Sequence, residues 1–295
     1  MALLIDPPLW PAHGTTFSHL VSDSSLQELH AFAELAGIPR RAFDRDHYDV
    51  AARHHNALVA LGAEAVTAAE LTRRLVAGGL RVPARDRPDR HDAWLRRDLA
   101  TLLPHREEIA DELMDRWGEE HRAYHDKRHV ADVLRALDLL TAAEHSDPTT
   151  ARVARLAAWW HDAVYTGAQG ADEEASATLA EAALAPTEPH DVVQRVGAAI
   201  RATTEHASGT DPAQALLLDA DLRVLARPEA SYERYVAAVR REYAHVSDPD
   251  FARGRAQVLR GLLALPTLFA TATGRAEWES RARANLQREL AHLEA

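Results

Sequence analysis

Leu156-Ala157-Ala158-Trp159-Trp160-His161-Asp162-Ala163-Val164-Tyr165 is the stretch around which the chain is organised. Val153, Leu156, Ala157 and Trp160 fall at i, i+3, i+4 and i+7, which predicts a buried helix. His161 and Asp162 stand where that helix should end, just before Thr166-Gly167. The end of a helix carries partial negative charge and favours a cation. Imidazole and carboxylate are both ligands for a divalent metal. A buried carboxylate needs a cation, a metal or hydrogen-bond donors.

Composition narrows the classes of function. The 295 residues are 46% hydrophobic, enough for a sizeable core and suggestive of two domains. There are no cysteines, so disulfides, zinc fingers, iron–sulfur clusters and thiol nucleophiles are excluded. The start, Met1-Ala2-Leu3-Leu4-Ile5-Asp6-Pro7-Pro8, has no basic region and does not read as a signal peptide. No apolar run reaches membrane-spanning length, and a cytoplasmic location is expected. The net charge of −11 disfavours bulk nucleic-acid binding.

Residues 1–82 read as a small α/β domain. Ala2–Ile5 predicts a strand, Trp10–Gly14 a turn, and Ser22–Ser25 the cap of a helix through Leu35. Arg41–Phe43 predicts a second strand leading into Asp46-His47-Tyr48-Asp49-Val50, with helices following through Leu58 and over Ala68–Val76. Asp6, His13, His19, Asp46, His47 and Asp49 gather at expected strand ends and loops. They read first as turn caps and second as a ligand or metal pocket. Leu4-Ile5-Asp6-Pro7-Pro8-Leu9-Trp10-Pro11, His19-Leu20-Val21-Ser22-Asp23, Ile38–Phe43 and Asp46–Val50 resemble a small bacterial domain family of unknown function. Residues 83–91, charged and proline-containing, read as a linker, and 92–295 as entirely helical.

Within 92–295, Tyr124-His125-Asp126-Lys127-Arg128-His129 leads into a helix with apolar face Val130, Val133, Leu134, Leu137 and Leu140. His129 sits at the buried end of that face, one turn before Val133. Asp172, Glu173 and Glu174 open another helix, as dipole partners or as catalytic acids. Val192, Val196, Ile200, Thr203 and His206 form a stripe that ends polar, which suits either a wet pocket or a helix reaching solvent. In Leu216–Leu222, Asp221 shares a face with Leu217 and points where a core residue should. Asp219 faces elsewhere with Arg223 at i+4, and reads as a solvated ion pair. Tyr232, Tyr235, Val236 and Val239 make a later core face, and Asn285 interrupts the last one.

Two imidazoles and two carboxylates, His129, His161, Asp162 and Asp221, thus project from three helices. They resemble the H…HD…D signature of the HD superfamily of metal-dependent phosphohydrolases, with the dyad beginning 32 positions after the first His. The wider resemblance covers roughly 92–295. It includes Asp172–Ala177, Thr203 with His206, Asp219–Leu222, Arg240-Arg241-Glu242-Tyr243, Gly254-Arg255 and Ala284-Asn285-Leu286.

The resemblance implies an all-α HD domain preceded by the small α/β domain. One divalent metal ion (Mn, Mg, Co, Ni, Fe or Zn) would be held by His129, His161, Asp162 and Asp221, with His125 as an alternative first ligand. It implies hydrolysis of a small phosphorylated substrate, a phosphomonoester or nucleotide. Asp162 would orient water, and Glu173 or His206 would move a proton. Expected substrate contacts are His125, Arg128, Thr203 and Arg240; for Lys127 a surface ion pair is the simpler role. Two other classes stay open. A di-iron oxygenase of the same superfamily needs extra histidines, and only His190 and His206 lie between dyad and distal Asp. A non-catalytic nucleotide-binding sensor would keep the ligand set without turnover.

Overall fold

The computed structural model describes residues 2–12, 14–81, 88–168, 170–204 and 210–294. It divides the chain into two compact units, Met1–Arg87 and Pro88–Ala295.

The first unit is a mixed sheet with helices. Its elements are β1 (Leu3–Ile5), β2 (Trp10–Ala12), β3 (Thr15–Ser22), α1 (Leu26–Leu35), β4 (Phe43–Asp44), β5 (His47–Ala51), α2 (Ala52–Ala60), β6 (Glu64–Ala65) and α3 (Ala68–Ala77). The strand order is β4-β5-β3-β1-β6, with β2 paired to β3; only β1–β6 is parallel. Alternation assigns the two faces. Ile5, Leu20, Tyr48 and Val50 pack with Leu29, Phe32 and Leu58 of α1 and α2. Leu4 and Val21 pack with Leu71 and Leu75 of α3. Ser25 caps α1 by accepting from the Glu28 N–H, and Gly37, at φ +69°, turns the chain away after it.

Two expectations change here. Trp10–Gly14 is not only a turn: Trp10–Ala12 is a strand, in register with Thr15–Phe17. Pro11 is tolerated because β2 lies at an edge, where a missing N–H breaks little. His19 lies inside β3 and His47 and Asp49 inside β5, so these residues do not cap turns. His13 falls outside the described residues.

The second unit is helical throughout its described residues. It comprises α4 (Pro88–Leu102), α5 (Glu107–Arg116), α6 (Lys127–Ala143), α7 (Pro148–Trp160), α8 (Ala171–Leu184), α9 (His190–Arg201), α10 (Pro212–Leu222), α11 (Glu229–Glu242), α12 (Asp248–Ala264), α13 (Ala272–Glu277) and α14 (Glu279–Leu293). α4 begins inside the segment expected to be linker. A proline suits a first helical turn, where its missing N–H would have no partner. Asp126, Asp147, Asp211, Ser247 and Thr271 cap α6, α7, α10, α12 and α13.

α7 is the central element. Every residue from Leu156 to Trp160 is buried, as for a helix apolar on all sides. α6, α8, α9 and α10 pack around it. Its C-terminal turn is held from outside, where the Trp117 indole donates to the Trp159 carbonyl at 3.0 Å. A second core joins Leu222, Leu225, Tyr232, Leu259, Phe269, Ala282 and Leu286. Asn285 belongs in that core because its side-chain amide donates to the carbonyls of Leu225 (2.7 Å) and Arg227 (2.9 Å), closing the turn after α10. Among the described residues, no helix is long and apolar enough to cross a membrane.

Asp219 corrects the sequence reading. It is buried, not a solvated partner of Arg223. Its carboxylate accepts from the Ala270 N–H (2.7 Å), the Thr271 N–H (2.8 Å) and the Thr271 hydroxyl (2.6 Å), so it anchors the chain entering α13. Burial raises its pKa, and these donors act against that rise.

Candidate metal centre

Three helix ends build the centre. The Asp126 cap accepts from the Arg128 and His129 N–H groups, which starts α6 so that His129 lies in its first turn, buried at the base of the apolar face. α7 ends at His161, whose Nδ1 donates to the Ala158 carbonyl at 2.9 Å. That local bond fixes the tautomer and leaves Nε2 facing the centre. Asp221 stands in the last turn of α10. Two helix C-termini therefore meet two carboxylates, a field that favours a cation.

Four donor atoms converge. His129 Nε2 lies 3.0 Å from His161 Nε2 and 3.2 Å from Asp221 Oδ1. Asp162 Oδ2 lies 3.1 Å from His161 Nε2 and 3.7 Å from His129 Nε2, and Asp221 Oδ1 is 3.8 Å from His161 Nε2. The imidazoles are buried, while Asp162 and Asp221 keep 17% and 16% of their side chains exposed and so form the rim. Two imidazole nitrogens turned toward each other between two carboxylates are a donor set that could hold a divalent ion. Burial opposes a charge on His161, but the Asp162 charge and hydrogen bond, together with Asp221, raise its pKa to about 9. Asp162 is held well below the usual carboxylate range: its burial is outweighed by His161, with His125 and His129 adding to the effect.

Around this core lies a layer in which sequence reasoning gave His125 a ligand or substrate role but assigned none to Glu242 or Arg122. Glu242, at the end of α11, accepts on one oxygen from the Ala123 (2.8 Å), Tyr124 (2.9 Å) and His125 (3.1 Å) N–H groups. Its other oxygen takes the His125 Nδ1–H at 2.5 Å. His125 Nε2 is then turned toward Asp162 Oδ2, 3.9 Å away, and its ring stacks on Tyr165. Burial disfavours protonated His125, yet Glu242 and the charges of Asp162 and Asp221 raise its pKa. Glu242 is correspondingly lowered to about 2, against the effect of its burial. Arg122, also buried, donates to the carbonyls of His125 (3.1 Å), Asp162 (2.8 Å) and Ala163 (3.2 Å). It ties the segment before α6 to the dyad.

The other expected site residues lie apart from the four donors. Arg128 is exposed beside Asp126, and Lys127 pairs with Asp92 at 3.0 Å. Arg240 donates to the carbonyls of Tyr243 and Val246 and pairs with Asp248, closing the turn between α11 and α12. The Thr203 hydroxyl donates to the Ile200 carbonyl at 2.7 Å. Glu173 accepts from the Gly170 N–H at 2.5 Å and caps α8. Its neighbour Asp172 accepts from the Thr166, Gly167 and Ala168 N–H groups, shaping the loop after the dyad. His190 is exposed at the start of α9. His206 falls outside the described residues.

Residues 3–78 match the model of a protein family of unknown function, DUF4031. Nothing among curated proteins or solved structures matches the chain.

Proposed function

We propose that the helical unit is a metal-dependent phosphohydrolase of the HD type, acting on a phosphomonoester or nucleotide. The observation that carries the reading is the convergence of His129, His161, Asp162 and Asp221 donor atoms, with adjacent pairs 3.0–3.2 Å apart. The H…HD…D resemblance is its second support. A divalent ion bound there would lower the pKa of a water and polarise a phosphoryl oxygen.

The chain's own residues then divide the work. His129 and His161 form a dry inner wall, each with Nε2 facing inward. Asp221, at the rim, could accept a proton from attacking water, and Asp162 could fix the orientation of that water. His125 takes over the proton-transfer role expected of Glu173: its Nδ1 is held by Glu242 and its Nε2 faces the rim. Against the effect of burial, Glu242 and the nearby carboxylates raise the His125 pKa, which favours the protonated ring that can give a proton to the leaving oxygen. Arg240 is engaged in closing the turn between α11 and α12 and Arg128 is exposed beside Asp126, so the reading assigns phosphate charge to the centre itself.

The test is phosphate release from a panel of phosphomonoesters and nucleotides by metal-loaded protein, beside Asp221→Ala. The reading expects turnover of at least one substrate class by the parent chain. Asp221→Ala should lose both metal and turnover while keeping its helical circular dichroism. Turnover unchanged in Asp221→Ala, or none across the panel with metal bound, would contradict it.

A further inference from the structure

The first unit contains a second convergence of the same donor types, on a sheet. His19 is the cross-strand partner of Asp49, and His47 precedes Asp49 by two residues on β5. Alternation therefore puts all three on one face, the face that carries Val21 and α3. His47 Nε2 lies 3.5 Å from Asp49 Oδ1, and His19 Nε2 lies 3.9 Å from the same oxygen. One donor atom from each of the three residues lies within 4.8 Å of the other two. A tetrahedral site with bonds of about 2.0–2.1 Å has edges of about 3.3–3.4 Å, so the two edges that meet at Asp49 need to close by only about 0.1–0.6 Å.

What separates this cluster from a chance polar patch is the support behind each imidazole. His19 Nδ1 is bonded at 3.0 Å to the buried carboxylate of Asp6, which also accepts from the His19 backbone N–H and the Trp10 indole. His47 Nδ1 is bonded at 2.6 Å to the buried carboxylate of Asp46, whose second oxygen is held by Arg81. Each carboxylate holds one nitrogen as N–H and turns the other toward Asp49, where a metal ion could displace its proton. This carboxylate–histidine arrangement orients metal-binding imidazoles and raises their basicity. Here it occurs twice, and both free nitrogens are aimed at one carboxylate.

We propose that His19, His47 and Asp49 bind one divalent transition-metal ion of the Zn(II) or Fe(II) class. Two imidazoles and one carboxylate suit such ions, whereas Mg²⁺ and Ca²⁺ prefer all-oxygen shells. Three protein ligands leave coordination positions open, and the half-exposed Asp49 opens them to solvent. The half-exposed Trp10 ring, 5.0 Å from His19 between centroids, flanks that opening. A small oxygen-donor ligand beside an aromatic wall is the chemistry the open side would accept.

The test uses the full chain, stripped of metal and reloaded with Zn(II) or Co(II), with bound metal counted after desalting. Asp49→Ala should bind one equivalent fewer than the parent, and so should His47→Ala. Asp49 is half-exposed, so its loss should keep the sheet folded, with unchanged circular dichroism and a cooperative thermal transition in the metal-free protein that exclude misfolding as the cause. In Co(II)-loaded Asp221→Ala, the remaining visible bands should vanish when Asp49→Ala is added. The comparison is a difference within one unit, so it holds whether or not the helical centre binds metal. Equal metal content in parent, Asp49→Ala and His47→Ala would overturn the proposal.

Discussion

Glu242→Gln probes the layer that positions the centre. The parent carboxylate accepts three backbone N–H groups on one oxygen and the His125 imidazole on the other. Gln keeps the shape but loses the charge. With its oxygen on the three N–H groups, its NH₂ faces His125 Nδ1, so that nitrogen must accept and the proton moves to Nε2. The Glu242 pKa falls from an ordinary 4.5 to about 2 in the folded chain, worth about 3 kcal/mol at roughly 1.4 kcal/mol per pH unit.

Because the folded value is depressed, Glu242's contribution is complete above pH 4.5 and is lost as pH falls toward 2. The same pair raises His125, whose share is complete below its ordinary 6.5 and is lost as pH rises through the folded value. Both statements describe one interaction, which is counted once. It is fully present between these limits, so the comparison belongs at about pH 5.5. Urea unfolding of metal-free protein, followed by tryptophan fluorescence, reports on the helical unit, which holds five of the six tryptophans. With a slope of about 3 kcal/mol per molar urea, the midpoint should drop by about 1 M. The gap between variant and parent should narrow steadily below pH 4.5. A difference under about 0.3 M, or one that does not change with pH, would refute the positioning role.

Two further substitutions test the frame. Arg122→Lys replaces a fork serving three carbonyls with a single ammonium, so affinity for a divalent ion should fall about 10–100-fold by calorimetric titration. Unchanged affinity would show that the dyad is held without it. Gly274→Ala would set a methyl 2.4 Å from Asp219 Oδ2 and 2.8 Å from Phe269 Cβ, so about 1–3 kcal/mol and roughly 3–10 °C of thermal midpoint should be lost. An unchanged midpoint would mean that the Asp219 anchor yields cheaply.

The parts of the centre that the sequence discloses are those where a polar residue interrupts an apolar helical face. His129 one turn before Val133 and Asp221 one turn after Leu217 are visible because each occupies a position that periodicity assigns to the core. Residues whose meaning depends on distant partners are not visible in this way. Asp219 looks like half of a local pair with Arg223, but its donors are 51 and 52 residues away. Glu242 meets the His125 segment across 117 to 119 residues, and nothing local to α11 marks it. The acidic run at Asp172–Glu174 suggests catalysis by composition alone; its carboxylates instead fold a loop, cap α8 and pair with Arg201. β3 escapes notice because Thr15–His19 carries mostly polar residues on both faces, so its alternation is weak until Leu20-Val21.

The central claim is that His129, His161, Asp162 and Asp221 hold a metal, and metal content per chain tests it most directly. Protein purified without added metal would be assayed by elemental analysis beside His161→Ala. The account predicts one divalent ion fewer in the variant, with the helical content retained. Identical metal content in the two proteins, before and after reloading, would contradict it.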